Sequence, residues 1–218
     1  MTSRPITIAC FAFITLLAGC AGKVRYPDYY MLALAPSKQP ATSDPGQFAT
    51  VAVGRFDTPG YLRQGRIIYR ETPEQLGFYE YHRWASEPGQ AVTSAVIDSL
   101  RTTGLFASVE QYDGQERPEY LLRGRLDRLD EVDYEGKVAV EVKLSAELSN
   151  TRTGAPLWAG SVTKTLDVNT RDMNSVVSAM SQATRDGVSQ LMADMEHQLR
   201  KSTVASGTST PAVSRDRE

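Results

Sequence analysis

The sequence predicts an α+β fold in which a mixed, largely antiparallel sheet with a long three-stranded meander is packed by two main amphipathic helices. The main observation is a stretch at 137–149 in which apolar and polar residues alternate, as expected for a strand with one buried and one solvated face. Two stretches with apolar residues at helical spacing, at 92–100 and 174–200, supply the helices.

The composition is that of one ordinary globular domain. The chain has 218 residues, of which 41% are hydrophobic and 23% charged, and this excludes collagen-like, coiled-coil and wholly disordered chains. A formal net charge of -2 gives no basic excess of the kind that nucleic-acid binders carry. Cysteines and histidines, two of each, are too few for a structural zinc site, which takes about four such ligands.

The amino terminus is predicted to be a lipoprotein signal peptide over residues 1–19. Arg4 precedes an uncharged run at 6–19, which as a helix spans about 21 Å, less than the roughly 30 Å of a bilayer core. A secretory segment is therefore favoured over a transmembrane helix. The run ends in L-A-G-C, which closely resembles a bacterial lipobox and makes Cys20 the lipid-attachment residue. The alternative is an ordinary signal peptide in which this cysteine occurs by chance.

The first part of the mature chain, 20–48, is predicted to be a lipid-anchored segment. It holds a first strand at 29–34 and a loop rich in Pro, Ser and Thr at 35–48. Apart from the covalent lipid on Cys20, no cofactor is expected. The next residue is Ala21, where an aspartate would favour inner-membrane retention by resemblance to enterobacterial lipoproteins. Alanine there predicts lipid anchoring in the outer membrane, with the domain on the periplasmic face.

The globular α+β domain is predicted over 49–200 together with the first strand, and a disordered tail over 201–218. A helix is expected to have Ser86 as its N-cap, Pro88 in its first turn and Gly104 as its stop. Four short strands surround this helix, at 50–56, 66–70, 77–84 and 105–110.

The second half of the domain is predicted to contain the meander and a final helix. A change in apolar phase between Leu126 and Leu129 predicts a β-bulge in the first meander strand. Tight turns containing Gly136 and Gly154 join the three strands, which lie at 120–134, 137–149 and 157–168. The helix, at about 174–200, carries an apolar stripe that would cover the sheet, formed by Val177, Met180, Thr184, Val188, Leu191 and Met195.

The sequence contains no catalytic constellation, and we predict that the protein is not an enzyme. His82 and His197 are the only histidines, and they are interpreted as a strand-surface residue and a helix C-terminal residue. A Ser or Cys nucleophile without a histidine partner lacks its usual base. Ser161 and Lys164 match S-x-x-K, but they fall inside a strand, where they point to opposite faces. Glycine motifs of P-loop and dinucleotide-binding proteins are lacking.

A metal site is not expected either. An acidic group precedes the first meander turn, but it lacks the Asp/Asn spacing and central Gly of an EF-hand loop. We interpret it as the solvated face of a strand that approaches a turn, consisting of Asp127, Asp130, Glu131, Asp133 and Glu135.

Aromatic residues crowd into the strand at 77–84. A regular strand places Tyr79 and Tyr81 on one face and the other large aromatic residues on the opposite face. If that opposite face enters the core, the two tyrosines stay near the surface, a composition typical of protein interfaces. With nearby Tyr61 and Leu62 they form a candidate partner interface. The alternative is a strand buried on both faces.

Several short motifs follow one another in a fixed order: the lipobox, Y-Y-M-L from Tyr29, P-G-Y-L from Pro59, I-I-Y-R from Ile67, and R-W-A from Arg83. Together they resemble the ABC-type transport auxiliary lipoprotein family, which includes the PqiC-like lipoproteins of MCE-type lipid transport systems. The resemblance covers roughly residues 20–200. It implies a periplasmic partner of an MCE-domain protein with its inner-membrane permease and ATPase, and it implies no catalytic residues.

Two functions are consistent with these sequence features. The first is a non-enzymatic auxiliary component of an ABC/MCE-type transporter that moves phospholipids or other lipophilic molecules across the envelope. It would contact the MCE-domain protein and the outer membrane, bind no nucleic acid, and be compatible with a homo-oligomer. The second is an outer-membrane lipoprotein that activates peptidoglycan synthesis or assists envelope assembly. Against this second function, the loop at 35–48 spans only about 50 Å when fully extended, which argues against contact with a distant inner-membrane enzyme. A third role, a lipid-binding shuttle, would require a cavity.

Overall fold

The computed structural model describes residues 25–34, 48–115, 117–134 and 136–207. The predicted signal peptide, Cys20, most of the predicted loop at 35–48 and the end of the chain from 208 lie outside the described residues.

The described chain forms a mixed sheet and two helices, which confirms the predicted α+β class. A short 3₁₀ turn occupies Leu62–Gln64. The helices are α1 (Pro88–Thr103) and α2 (Met173–Gly207). The strands are β1 (Asp28–Tyr30), β2 (Phe48–Val53), β3 (Arg66–Arg70), β4 (Leu76–Trp84), β5 (Phe106–Gln111), β6 (Tyr120–Tyr134), β7 (Lys137–Asn150) and β8 (Pro156–Asp167).

The meander is the longest part of the sheet and matches its prediction. β6, β7 and β8 pair antiparallel along most of their length. The register of β6 shifts between Leu126 and Arg128, which confirms the predicted bulge. Gly136 and Gly154, at φ 79° and 71°, take the left-handed conformation that favours glycine.

The sheet forks at β6. One edge of β6 pairs with β7, whereas the other edge is shared by two strands. β2 pairs parallel with the start of β6, and β5 continues the sheet beyond it. β3 pairs parallel with the end of β6, and β4 and β1 continue from there. We call the second arm, β3, β4 and β1, the β1–β4 wing.

Both helices cover one face of the sheet. α2 packs on β8 and β7 through the predicted apolar stripe, whose six members are buried, and α1 packs on β5 and on α2. Gly104 ends α1 in the left-handed conformation, as predicted, with φ 63°. The N-cap of α1 is Glu87, without a side-chain cap hydrogen bond, instead of Ser86, because Pro88 occupies the first helical position. No helix covers the opposite face within the described ranges, and we call it the open face.

Three predicted elements have a boundary that differs from the structure by three residues or more. β1 ends at Tyr30 because the following residues leave the sheet and run along α2, where the backbone N–H of Ala33 donates to Oγ of Ser181 at 3.1 Å. β2 covers Phe48–Val53 in place of 50–56. α2 continues to Gly207, so residues 201–207 are helical where a disordered tail was expected. Once an amphipathic helix is packed, adding further residues costs little, and no Gly or Pro occurs in the extension before Gly207.

No helix among the residues described here is long and apolar enough to cross a membrane.

Candidate functional site

The aromatic strand predicted as a partner interface is β4, the middle strand of the β1–β4 wing. Its register with β3 is irregular, because Arg66 lies opposite Arg83 whereas Ile68 lies opposite Phe78. The extra residues between these pairs form a bulge in β4, and the alternation of faces therefore fails at 79–82.

This bulge gives Tyr79 and Tyr81 separate surroundings, where regular alternation predicts a shared face. The Tyr79 ring centroid lies 5.0 Å from that of Tyr69 and 5.5 Å from that of His82. Tyr79 and His82 are an odd number of residues apart, so a regular strand would turn them to opposite faces. Tyr81 instead packs under Arg25, whose guanidinium carbon is 4.5 Å from the ring centroid.

The hydroxyl group of Tyr79 is used inside the protein. It donates a hydrogen bond of 2.8 Å to Oε2 of Glu131 on β6, a residue that is only 5% exposed. Burial raises the pKa of Glu131 and, together with the nearby carboxylate, raises that of Tyr79. The Tyr69 ring lies against Gly77 of β4. A Cβ at that position would be only 2.3 Å from the ring, so a larger residue would displace it. Tyr79 is thus a half-buried packing residue whose hydroxyl group already has a partner.

A buried ion pair lies on the open face, next to Glu131 along β6. Asp130 is 0% exposed and pairs with the guanidinium group of Arg70 on β3. Nε of Arg128 lies 3.7 Å from the same Asp130 oxygen, and Arg128 also pairs with Glu141 on β7. Burial raises the pKa of Asp130, while the hydrogen bond from Arg70 opposes that rise. The pair holds the β1–β4 wing to the meander.

Tyr61 and Leu62 lie in the turn before β3, which covers this ion pair. The hydroxyl group of the half-buried Tyr61 donates to the carbonyl oxygen of Asp127 at 3.1 Å, and its ring centroid lies 6.0 Å from the Arg70 guanidinium carbon. Leu62 is 1% exposed, which corrects its predicted place on a partner surface. The 3₁₀ turn, closed by Gly65 at φ 71°, directs this side chain into the core.

The other sequence candidates are dispersed. Nδ1 of the half-buried His82 lies 3.1 Å from the hydroxyl oxygen of Tyr30, whereas His197 is exposed on α2. Ser161 and Lys164 both lie on β8, as predicted, and not at the start of a helix.

The acidic group on β6 is divided between the two faces of the sheet and held by separate partners. Asp127 accepts a hydrogen bond of 2.7 Å from Ser145, and Asp133 pairs with Arg171 through two contacts of 3.0 Å. Glu135 lies outside the described residues. In the part of the chain that the structure describes, no group of His, Cys, Asp or Glu side chains is placed to hold a metal ion.

A cleft of about 630 Å³ lies between the end of β8 and the first turns of α2. Apolar side chains of Leu166, Val168 and Ala179 line it together with polar ones such as Gln182 and Arg185. It is a mixed, open groove and does not provide the enclosed apolar chamber that a lipid shuttle requires.

An exposed apolar patch at the start of the described chain was missed by the sequence analysis. Tyr26, Tyr29 and Met31 are 79%, 63% and 68% exposed. Tyr30 and Leu32, which alternate with Tyr29 and Met31, pack against the core. The residues Tyr29 to Leu32 are read from the sequence only as part of a strand, and which of their side chains stay exposed depends on the packing of β1.

Comparisons with known proteins identify the family. The chain resembles the crystal structure of protein XCC0632 from Xanthomonas campestris, of family DUF330, at 18% identity and a TM-score of 0.67, over 81% of this chain and 99% of that one. It also resembles an uncharacterized protein of known structure at 16% identity and a TM-score of 0.56, over 80% and 99% of the two chains. These likenesses concern the fold alone. None of the curated proteins gives a significant match.

The family comparison spans most of the domain. The model of the ABC-type transport auxiliary lipoprotein component matches residues 30–195, which include β2 to β8, α1 and most of α2. The chain therefore belongs to the family of ABC-type transport auxiliary lipoprotein components.

Proposed function

We propose that the protein is a non-enzymatic periplasmic lipoprotein, anchored in the outer membrane through Cys20, that serves an ABC/MCE-type transporter of phospholipids or other lipophilic molecules. The observation that carries this proposal is the family match over residues 30–195, because the family is one of transport auxiliary lipoproteins. Three more specific parts of the proposal rest on the sequence resemblance: the MCE-domain partner, the lipophilic cargo and the outer-membrane location.

The paired carboxylates at the end of β6 favour a structural over a catalytic role. Asp130 is paired with Arg70, and Glu131 accepts the hydrogen bond of Tyr79. Asp133 is paired with Arg171. Carboxylates held in this way stabilise contacts between strands, and the raised pKa values of Asp130 and Glu131 follow from burial in the fold.

The position of β1 in the sheet limits the length of chain that can separate the domain from the membrane. The loop at 35–48 follows β1, which is bound to β4, so it adds no reach between the membrane and the domain. The tether is instead the stretch from Cys20 to Asp28, which spans at most about 26–29 Å. A domain on such a tether stays beside the membrane, so the transporter partner must meet it there.

Tyr61 is half-buried in the turn before β3, where it packs against the core and its hydroxyl group donates to the carbonyl oxygen of Asp127. Tyr81 on β4 is also half-buried, but its ring packs under Arg25 and not against the core. Tyrosine combines a large apolar ring with a polar tip and is enriched in protein interfaces. We assign the contact with the MCE-domain protein to this part of the wing. Leu62 and the Tyr79 hydroxyl group are excluded from it by their internal contacts.

Site-specific photo-cross-linking tests the proposal. A photoreactive phenylalanine analogue is placed at Tyr81 of the full chain in its native cells, and cross-linked products are identified by mass spectrometry. We expect an adduct with an MCE-domain protein. The matched control is the same analogue at Tyr112, which is 36% exposed just after β5 on the other arm of the sheet and should give no such adduct.

A deletion strain provides the second readout. Loss of the protein should weaken the envelope barrier against detergents and alter the phospholipid distribution between the membranes. Absence of any MCE-domain adduct, together with an unchanged phospholipid distribution, would contradict the transport role. An adduct with a peptidoglycan synthase would favour the alternative function.

A further inference from the structure

An ordered apolar surface lies directly after the predicted anchor. We call Tyr26, Tyr29 and Met31 the N-terminal patch. Each is well over half exposed, and they make up most of the large hydrophobic side chains that are exposed within the described ranges. Three exposed large apolar side chains within six consecutive residues of a folded domain indicate a surface that is covered in the functional state.

The patch is held in place by the fold. β1 is paired with β4, with Tyr30 opposite Trp84, and the carbonyl oxygen of Tyr30 accepts a hydrogen bond of 2.8 Å from the N–H of Ala85. A few residues later, Ala33 is hydrogen-bonded to Ser181 of α2. These contacts fix the backbone on both sides of Met31. The exposed side chains therefore belong to a preformed surface of the domain.

The length of chain before this surface indicates what covers it. Cys20 is separated from Arg25 by four residues, which allow at most about 18 Å between the Cα atoms of the lipidated cysteine and of the first described residue. The patch begins at the next residue. A membrane that holds the acyl chains is thus within reach of the patch whether or not any protein partner is present.

The chemistry of the patch fits a membrane surface. Tyrosine prefers the headgroup level of a bilayer, where its ring meets the acyl chains and its hydroxyl group stays hydrated. The charges of Arg25 and the exposed Asp28 cancel, so the tyrosine and methionine side chains carry the preference for the bilayer. β1, in contrast, covers only Asp28–Tyr30 and offers a second copy of the chain a short edge.

We propose that Tyr26, Tyr29 and Met31 rest in the headgroup region of the membrane that holds the anchor. The domain is then seated on the bilayer in a fixed orientation, and is not suspended from a free tether. This inference rests on the lipidation of Cys20, which belongs to the proposed function. It adds that one surface of the folded domain contacts the lipid.

Spin-label depth measurements test the seating. The sequence holds only Cys10 and Cys20, so the processed, acylated chain has no free thiol and accepts one new cysteine cleanly. Tyr29→Cys and Met31→Cys place a nitroxide in the patch. Leu157→Cys is the control, since Leu157 is 39% exposed on β8 at the opposite edge of the sheet. The acylated proteins are reconstituted into vesicles of phosphatidylethanolamine and phosphatidylglycerol.

We expect a several-fold lower collision rate with a water-soluble nickel complex at positions 29 and 31 than at 157, and a higher collision rate with oxygen. Thermal unfolding by circular dichroism verifies that each variant is folded. If the protein floats with the vesicles but position 29 is as accessible to nickel as position 157, the domain hangs free and the inference is overturned.

Two further outcomes identify other failures. A Cys20→Ser chain with the label at position 29 is measured without vesicles. Shielding of the label there would mean that a second copy covers the patch, which also overturns the inference. If instead the wild-type chain carries no acyl groups and does not float with the vesicles, Cys20 is not lipidated. The proposed function is then refuted together with this inference, and the flotation result distinguishes this case from a freely hanging domain.

Discussion

The hydroxyl group of Tyr79 on β4 donates a hydrogen bond of 2.8 Å to Glu131 on β6, across β3, which separates their strands in the sheet. Glu131 is nearly buried, and burial raises its pKa, so this hydrogen bond supports a carboxylate that has little other solvation. The contact ties the outer strands of the β1–β4 wing to the meander.

Replacing Tyr79 by Phe is expected to destabilise the domain by about 1–3 kcal/mol, because Glu131 loses its hydrogen-bond donor while remaining buried. Urea unfolding of the Cys20→Ser chain, followed by circular dichroism, measures the change. Tyr81→Phe is the matched control on the same strand, and it should change the unfolding free energy by less than about 0.5 kcal/mol. Equal losses in the two variants would contradict the assigned hydrogen bond.

The same pair makes stability depend on pH. The pKa of Glu131 is raised above its ordinary value of 4.5 in the folded protein, so its contribution to stability is full below 4.5 and is lost as pH rises through the folded pKa. The hydrogen bond from Tyr79 lowers that pKa, so Tyr79→Phe should raise it further and make the loss toward neutral pH larger. Unfolding midpoints across the acid-to-neutral range test this. Glu131→Gln should remove the part of the pH dependence that comes from Glu131, which is the part that Tyr79→Phe enlarges.

Arg70→Met is expected to destabilise the domain by about 3–5 kcal/mol, because it leaves Asp130 as a buried charge without its main partner. The double variant Arg70→Met/Asp130→Leu should recover most of this loss, since a buried pair replaced by apolar groups is often neutral. The control is Arg171→Met, which breaks the exposed pair with Asp133 and should cost less than about 1 kcal/mol. A double variant no more stable than Arg70→Met would show that the cost lies in packing.

Gly124→Ala tests how closely β6 is packed. A Cβ at this position would lie 2.2 Å from the ring of Phe56, which is itself buried in the core, so the ring must shift. We expect a loss of about 1–3 kcal/mol in unfolding free energy. Gly60→Ala is the control, because the nearest atom to its Cβ is the end of Arg63 at 3.9 Å. Phe56→Leu combined with Gly124→Ala should cost less than the sum of the two single changes.

Local pattern was sufficient for the meander but not for the fork. The alternation of apolar and polar residues in β7 and the change of apolar phase after Leu126 depend only on neighbouring residues. Both features can therefore be predicted from the sequence. The parallel pairing of Tyr30 with Trp84 joins strands that are distant along the chain. Nothing in either strand specifies that partner or its register, because many strands with the same alternation are equivalent.

The candidate site shows the same division. Tyr61 and Leu62 are adjacent and were assigned to the same surface from the sequence, yet the turn closed by Gly65 buries Leu62 and leaves Tyr61 half-buried. Tyr79 and Tyr81 obey a period of two only in a regular strand, and the bulge in β4 arises from its pairing with β3. Tertiary pairing therefore decided which aromatic residues stay accessible.

Cys20→Ser is expected to abolish acylation and to release the domain from the membrane, because the thiol group is the attachment atom of the predicted lipobox. Radiolabelled palmitate measures the first effect and membrane fractionation the second. The matched variant is Ala21→Asp, which keeps the cysteine. It should incorporate palmitate at the wild-type level but move the protein to the inner-membrane fraction, by resemblance to enterobacterial lipoproteins. Palmitate in Cys20→Ser at the wild-type level would refute the lipobox, whereas Ala21→Asp protein that stays in the outer membrane would refute only the sorting rule.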